Sequence, residues 1–105
     1  TVGAVNNNNI GVAGVAGGSG SGDGARLMSC QILGGTGTGN IPDSYVYAAD
    51  MGSVISQNSW GYSSPGVYEQ AVLDAIDYFV AEAGNYPGSL MRGGIVIFAA
   101  GNSAR

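Results

Sequence analysis

The sequence predicts an α/β fold built on parallel strands, and three observations carry that expectation. The run Ile95 to Ala99 is continuously apolar, opens with three β-branched residues and lies between glycines. Such a run reads as a strand buried on both faces, the kind found in parallel sheets. From Ser64-Pro65 to about Ala83, the residues Val67, Ala71, Val72, Ala75, Ile76, Phe79, Val80 and Ala83 recur at three- and four-residue steps, with Glu69, Gln70, Asp74, Asp77 and Glu82 on the other side. That is the period of an amphipathic helix. The elements alternate strand, helix, strand, helix, strand, and connections of this length imply parallel strands joined by right-handed crossovers.

In chain order, Thr1 to Val5 is short and apolar, suited to the tail of a helix. Asn6 to Asn9 breaks periodic structure and offers amide oxygens. Ile10 to Ala16 is small or aliphatic throughout, and Gly17 to Gly24, GGSGSGDG, is a flexible loop by composition. Ala25 to Leu33 reads as the first complete strand, with the only cysteine, Cys30, as a buried structural thiol, since free Cys behaves as a small hydrophobe. A second Gly-rich loop, Gly34 to Asn40, follows. Pro42-Asp43-Ser44 starts a short helix that packs Tyr45, Val46, Ala48 and Ala49 inward and ends by Gly52. Ser53 to Ser59 is the next strand. Ser64 is suited to cap the second helix, Pro65 to enter its first turn and Gly84 to end it.

Length and composition narrow the function classes. A chain of 105 residues is one small domain, with no internal repeat. It is 10% charged, against about 25% for an ordinary soluble domain. So little charge suggests a buried piece of something larger, or a surface rich in Gly, Ser and Asn. The net charge of −4 comes with three arginines and no lysine, which argues against a nucleic-acid partner. No apolar run reaches the roughly 18 residues that span a bilayer. Without His there is no imidazole base, and without Lys there is neither a phosphate-loop lysine nor a Schiff base.

Three stretches are candidate sites. The loop Gly34 to Asn40 lacks the third glycine of G-x-G-x-x-G, and Pro42 interrupts the helix start that would face a phosphate. The Asn6–Asn9 run offers amides and carbonyls of the kind that ligate calcium but no neighbouring carboxylate, and on its own a polar turn explains it better. The third candidate pairs Asn58-Ser59-Trp60-Gly61 with Ala99-Ala100-Gly101-Asn102. If the strands are parallel, both segments leave the sheet at one edge, where open α/β sheets place their sites. Asn102 is then placed to aim an N–H at a developing oxyanion. An ordinary strand ending in a Gly-Asn turn accounts for the second segment as well.

Taken in order, these segments resemble the central part of a subtilisin-like serine protease, or subtilase. Thr1-Val2-Gly3-Ala4 resembles the residues directly after that family's HGTHVAGT segment. NNNNIGV, Asn6 to Val12, with Ala13 to Ala16, resembles its calcium loop, and Ala25 to Leu33 its next core strand. Asn58-Ser59-Trp60-Gly61 resembles the S-x-G segment that lines the S1 pocket, and Ala99 to Asn102 resembles AAGN, whose Asn is the oxyanion-hole side chain. The resemblance implies a three-layer, subtilisin-like parallel sheet flanked by helices, truncated here, with residues 1–105 as a partial catalytic domain. It implies Asn102 as the oxyanion donor, with Ser59, Trp60 and Gly61 on one wall of S1 and Ala99, Ala100 and Gly101 on the other. Gly37, Thr38 and Gly39 would be the substrate-pairing edge, in a segment shorter than the family's. It also implies a structural calcium held by Val5, Ile10 and Val12 carbonyls and by the side chain of Asn7 or Asn8, the extra Asn leaving that register open.

The family's Asp and His would precede Thr1, and its Ser would follow Arg105. The expectation is therefore a piece of an extracellular or cell-envelope endopeptidase that acts on proteins or peptides, inactive as an isolated chain and prone to self-association through unpaired sheet edges. The alternative is a self-contained α/β module that binds a nucleotide or a peptide through its Gly-rich loops.

Overall fold

A computed structural model describes residues 1–34 and 40–102. Among them the elements are α1 (Ile41–Asp50), β1 (Ile55–Asn58), α2 (Gln70–Glu82) and β2 (Ile95–Phe98). The chain is a small α/β domain with two helices packed on a two-stranded sheet. The strands are parallel and in register, Ile55 opposite Ile95 and Asn58 opposite Phe98. Parallel neighbours need a long crossover, and α2 lies within it.

Each helix begins and ends for a local reason. The Asn40 side chain accepts from the Asp43 amide at 2.8 Å and caps α1, with Pro42 in the first turn, where its missing N–H costs nothing. Gly52, at φ +97, turns the chain out of α1 toward β1. The second helix starts later than its periodicity suggests. Pro65-Gly66 forms a turn with Gly66 at φ +74, a conformation no helix contains, so Ser64-Pro65 is not the helix start. The helix begins at Gln70 instead. The Tyr62 hydroxyl accepts from the Glu69 amide at 3.2 Å, a service usually performed by a capping side chain. Gly84, at φ +71, follows the last turn as expected.

The core is the seam between the helices, closed by Tyr45, Ala49, Val72, Ala75, Phe79 and Ala83, with Phe79 fully buried. Tyr45 meets the Phe79 ring edge-on, centroids 6.5 Å apart. This seam covers one face of the sheet. Val96 is half-buried against it, whereas Ile95, Ile97 and Phe98 remain 44–49% exposed. The expectation that this strand is buried on both faces is therefore corrected: within these residues helices cover one face only.

Two further expectations are corrected. Ala25–Leu33 forms no strand, because among the described residues no backbone group pairs with it beyond Ala25, and Cys30 is consequently exposed rather than buried. Thr1–Val5 is not helical. The carbonyls of Thr1, Val2 and Ala4 accept from the amides of Val15, Ala16 and Gly14, which lays this segment beside 14–16.

Gly94 is the closest approach of the sheet to α2. Its amide donates to the Val80 carbonyl at 3.0 Å, and an added Cβ would lie 2.5 Å from the Phe79 ring and 2.6 Å from the Phe79 carbonyl. Gly94→Ala should therefore destabilise the domain by about 1–3 kcal/mol through overpacking. Urea unfolding followed by far-UV circular dichroism measures this, and an unchanged midpoint would contradict the close approach.

Candidate functional site

The register of the sheet sets the site. Because Asn58 lies opposite Phe98, Ser59-Trp60-Gly61 and Ala99-Ala100-Gly101-Asn102 leave adjacent strands side by side at their carboxyl ends. The Ala99 amide donates to the Asn58 carbonyl at 2.9 Å and extends the ladder one step into this exit. Gly101, at φ +87, then bends the chain, and Asn102 stands exposed beyond it. Ser59, Gly61, Ala99, Ala100 and Gly101 are exposed as well, while Trp60 is half-buried. Seven of the sequence-predicted residues thus share one end of the sheet. Gly37, Thr38 and Gly39 lie outside the described residues.

Asn58 ties this end together. It is 8% exposed, the only buried polar residue among those described. Its Oδ1 accepts from the Tyr45 hydroxyl at 2.8 Å and from the Trp60 indole N–H at 3.1 Å. An indole nitrogen can only donate, so that atom must be the amide oxygen. Its Nδ2 lies 3.3 Å from the Ile97 carbonyl, 3.0 Å from Ser56 Oγ and 3.2 Å from the Ser56 carbonyl. One side chain therefore links α1, both strands and the indole that leaves the sheet. Burial raises the Tyr45 phenol above its ordinary pKa, so Tyr45 stays a donor through neutral pH.

Trp60 is also held from its other sides. Tyr62 and Phe98 each meet it edge-on, with centroids 5.7 Å apart in both pairs. The result is an aromatic wall rising beside the exposed Ala99–Gly101 backbone. The sequence pattern places Asn58 and Trp60 in one candidate segment, but gives Asn58 no role of its own and leaves out Tyr62 and Phe98. The available signal was an amide residue on the side of the strand that faces a helix, where an apolar residue would be ordinary.

This arrangement gathers exposed backbone and the exposed Asn102 side-chain amide at one end of the sheet. It holds no nucleophile–base pair. The Ser59 hydroxyl accepts from the Gln57 side chain Nε2 at 2.8 Å, and the chain has no His to deprotonate it.

The asparagine loop forms a separate cavity of about 130 Å³ lined by Val5 and by residues 7–13. All five residues expected to face a cation, Val5, Asn7, Asn8, Ile10 and Val12, line it. Asn7, Asn9 and Gly11 adopt left-handed φ of 55°, 57° and 63°, curling the backbone around the space. Asn8 Oδ1 accepts from the Ile10 amide at 3.1 Å and is occupied in a local turn. Asn6 Oδ1, which sequence reasoning passed over, is buried without a hydrogen-bond partner. Among the described residues no three His, Cys, Asp or Glu side chains cluster as a metal site.

The loop Gly17–Gly24 closes on itself. Asp23 accepts from the Ser19 amide at 2.8 Å and from its hydroxyl, and these bonds hold the carboxyl below its ordinary pKa. Among the described residues no helix directly follows the loop to present amides to a phosphate. No helix among the described residues is long and apolar enough to cross a membrane. Comparison with protein families, with curated proteins and with solved structures found no match.

Asn58→Leu should strand the buried Tyr45 hydroxyl and cost about 1–3 kcal/mol. Adding Tyr45→Phe removes the orphaned group, so the pair should show a coupling of about 0.5–3 kcal/mol in a double-mutant cycle. Strict additivity in urea unfolding would contradict the linkage.

Proposed function

We propose that the chain is the middle of a subtilisin-like serine endopeptidase of the cell exterior or envelope, with the oxyanion donor and S1 walls of its active site. The observation that carries this reading is the adjacency of two parallel strand ends, one continuing as Ser59-Trp60-Gly61 and the other as Ala99-Ala100-Gly101-Asn102. The exposed apolar face of β2 supports it, since a three-layer sheet would cover that face with elements these residues do not supply.

In the parent enzyme, the exposed backbones at the two exits flank the scissile residue of the substrate. Trp60, braced by Asn58, Tyr62 and Phe98, forms an apolar wall for its side chain. The Asn102 side-chain amide donates to the carbonyl oxygen as it becomes an oxyanion, where a preorganised donor lowers the barrier most. Attack and proton transfer belong to Ser, His and Asp groups outside this segment. In the full-length protein, Asn102→Ala should lower kcat by roughly 10²–10³ with little change in KM, a magnitude measured on a subtilisin's own oxyanion-hole asparagine and carried over with the resemblance. Peptide-ester kinetics test this. A serine-directed fluorophosphonate should label the full protein and leave residues 1–105 unmodified. A label within residues 1–105, or wild-type kcat in the variant, would contradict the proposal.

The asparagine loop is proposed as a structural calcium site. The amide side chains and the curled backbone around residues 7–13 suit a hard cation that takes six to eight oxygens. With Asn8 Oδ1 accepting from the Ile10 amide, Asn7 is the side-chain candidate, beside the carbonyls of Val5, Ile10 and Val12. A bound ion would cross-link the loop and stabilise the fold. Calcium at a hundred times its Kd should add about 2.7 kcal/mol. Thermal unfolding should shift upward with calcium and return with chelator, and a midpoint indifferent to both would contradict the assignment.

A further inference from the structure

The lining of the asparagine loop holds no carboxylate, although carboxylates are the usual charged ligands of calcium. Between Thr1 and Pro42 the only acidic residue is Asp23. Its carboxylate is spent within the glycine loop. The Oδ1 accepts from the Ser19 amide at 2.8 Å, and the two oxygens accept from the Ser19 hydroxyl at 3.1 and 3.0 Å.

A run of backbone groups nevertheless connects this carboxylate to the asparagine loop. The Ser19 N–H shares a peptide unit with the Gly18 carbonyl, and that carbonyl accepts from the Asn6 amide at 3.0 Å. The Asn6 N–H shares a peptide unit with the Val5 carbonyl, and Val5 lines the loop cavity. Both units are trans, and in a trans unit the N–H and C=O point in opposite directions. Each bond therefore sets the aim of the next. Asp23 holds the Ser19 N–H, which turns the Gly18 carbonyl toward Asn6. Gly18 holds the Asn6 N–H, which turns the Val5 carbonyl away from the glycine loop. Gly18 is the tightest point of this path: an added Cβ would lie 2.6 Å from Asp23 Oδ1 and 2.4 Å from the Gly24 nitrogen.

The two peptide dipoles run head to tail, with the carboxylate at one end and the Val5 oxygen at the other. Members of a hydrogen-bonded chain polarise one another, and a negative charge at the Ser19 end makes the Val5 oxygen more negative. We infer that Asp23 is a positioning residue for the asparagine loop, which aims and polarises the Val5 carbonyl for calcium through two hydrogen-bonded peptide units. The inference rests on the calcium reading of this loop and on no residue of the strand exits. The other stem of the loop is closed outside the relay, by the Gly14 amide on the Ala4 carbonyl at 3.1 Å.

Calcium titration of the full-length protein, followed by the amide shifts of residues 7–11, gives a Kd local to the loop. Asp23→Ala should weaken it about tenfold or more, as loss of a group that orients a ligand does. In the calcium-free protein the same variant should speed hydrogen exchange at the Asn6 amide about tenfold and leave the Gly14 amide protected. Asp23→Asn keeps an oxygen for the Ser19 amide, so it should retain the Asn6 protection and lose only part of the affinity. Unchanged affinity and exchange in Asp23→Ala would overturn the inference. Lost affinity with Asn6 still protected would make Asp23 a direct ligand and would overturn it too, as would equal exposure of Asn6 and Gly14, the mark of an unfolded loop. A wild-type protein with no calcium response would overturn the calcium reading instead, and the calcium-free exchange would still decide the relay.

Discussion

The carboxyl end of the sheet depends on one buried amide. Asn58 sits where an apolar residue would ordinarily fill the seam between strand and helix, and it meets a donor or acceptor on each neighbouring element. A buried polar network is specific because it is intolerant: complete, it fixes one arrangement, and with one member missing it leaves costly orphans. The amide can satisfy Tyr45, Trp60 and Ile97 together only when α1, β1 and β2 are in register. The position of the Trp60 indole is therefore a consequence of how the core closes, and so is the aromatic wall it makes with Tyr62 and Phe98.

The rest of the domain is lightly built. Among the described residues six make the buried apolar core, three of them alanine, and the sheet has a single covered face. Close backbone approach replaces bulk where it can. Gly94 lets β2 ride directly on the Phe79 turn, and the glycines at 14 and 17 let the 1–5 segment lie against 14–18. The same economy leaves Ile95, Ile97 and the outer edge of β1 open. The proposed larger catalytic domain accounts for those open surfaces.

The strongest periodic signal in the sequence survives in the structure, and so do the short helix around Pro42 and the strand after Ser53, whereas the Ala25–Leu33 strand does not. The apolar stripe from Val72 to Ala83 is a helix because every third or fourth residue has a seam to enter. Asn40, Gly52 and Gly84 mark element ends through backbone chemistry that any short window reveals. Ser64-Pro65 misled because capping residues fit turns as well as helices, and Gly66 in the left-handed region decided the matter. Ala25–Leu33 misled because a strand is defined by its partner, which no local pattern encodes. Parallel order was legible from connection length, and with it the meeting of Ser59–Gly61 and Ala99–Asn102. The bracing of Trp60 was not, since it joins residues thirteen and thirty-nine positions from Asn58. Asn6 is hidden among identical neighbours, and only the burial of its unpartnered Oδ1 distinguishes it.

Asn58 and Phe98 brace the Trp60 indole where the two strands end. Nuclear Overhauser contacts of the Trp60 indole measure it most directly. The account predicts cross-peaks from the indole N–H to the Tyr45 hydroxyl region and the Asn58 side chain, and from the ring to Phe98 and Tyr62. A folded domain whose indole shows contacts to neither Asn58 nor Phe98 would contradict it.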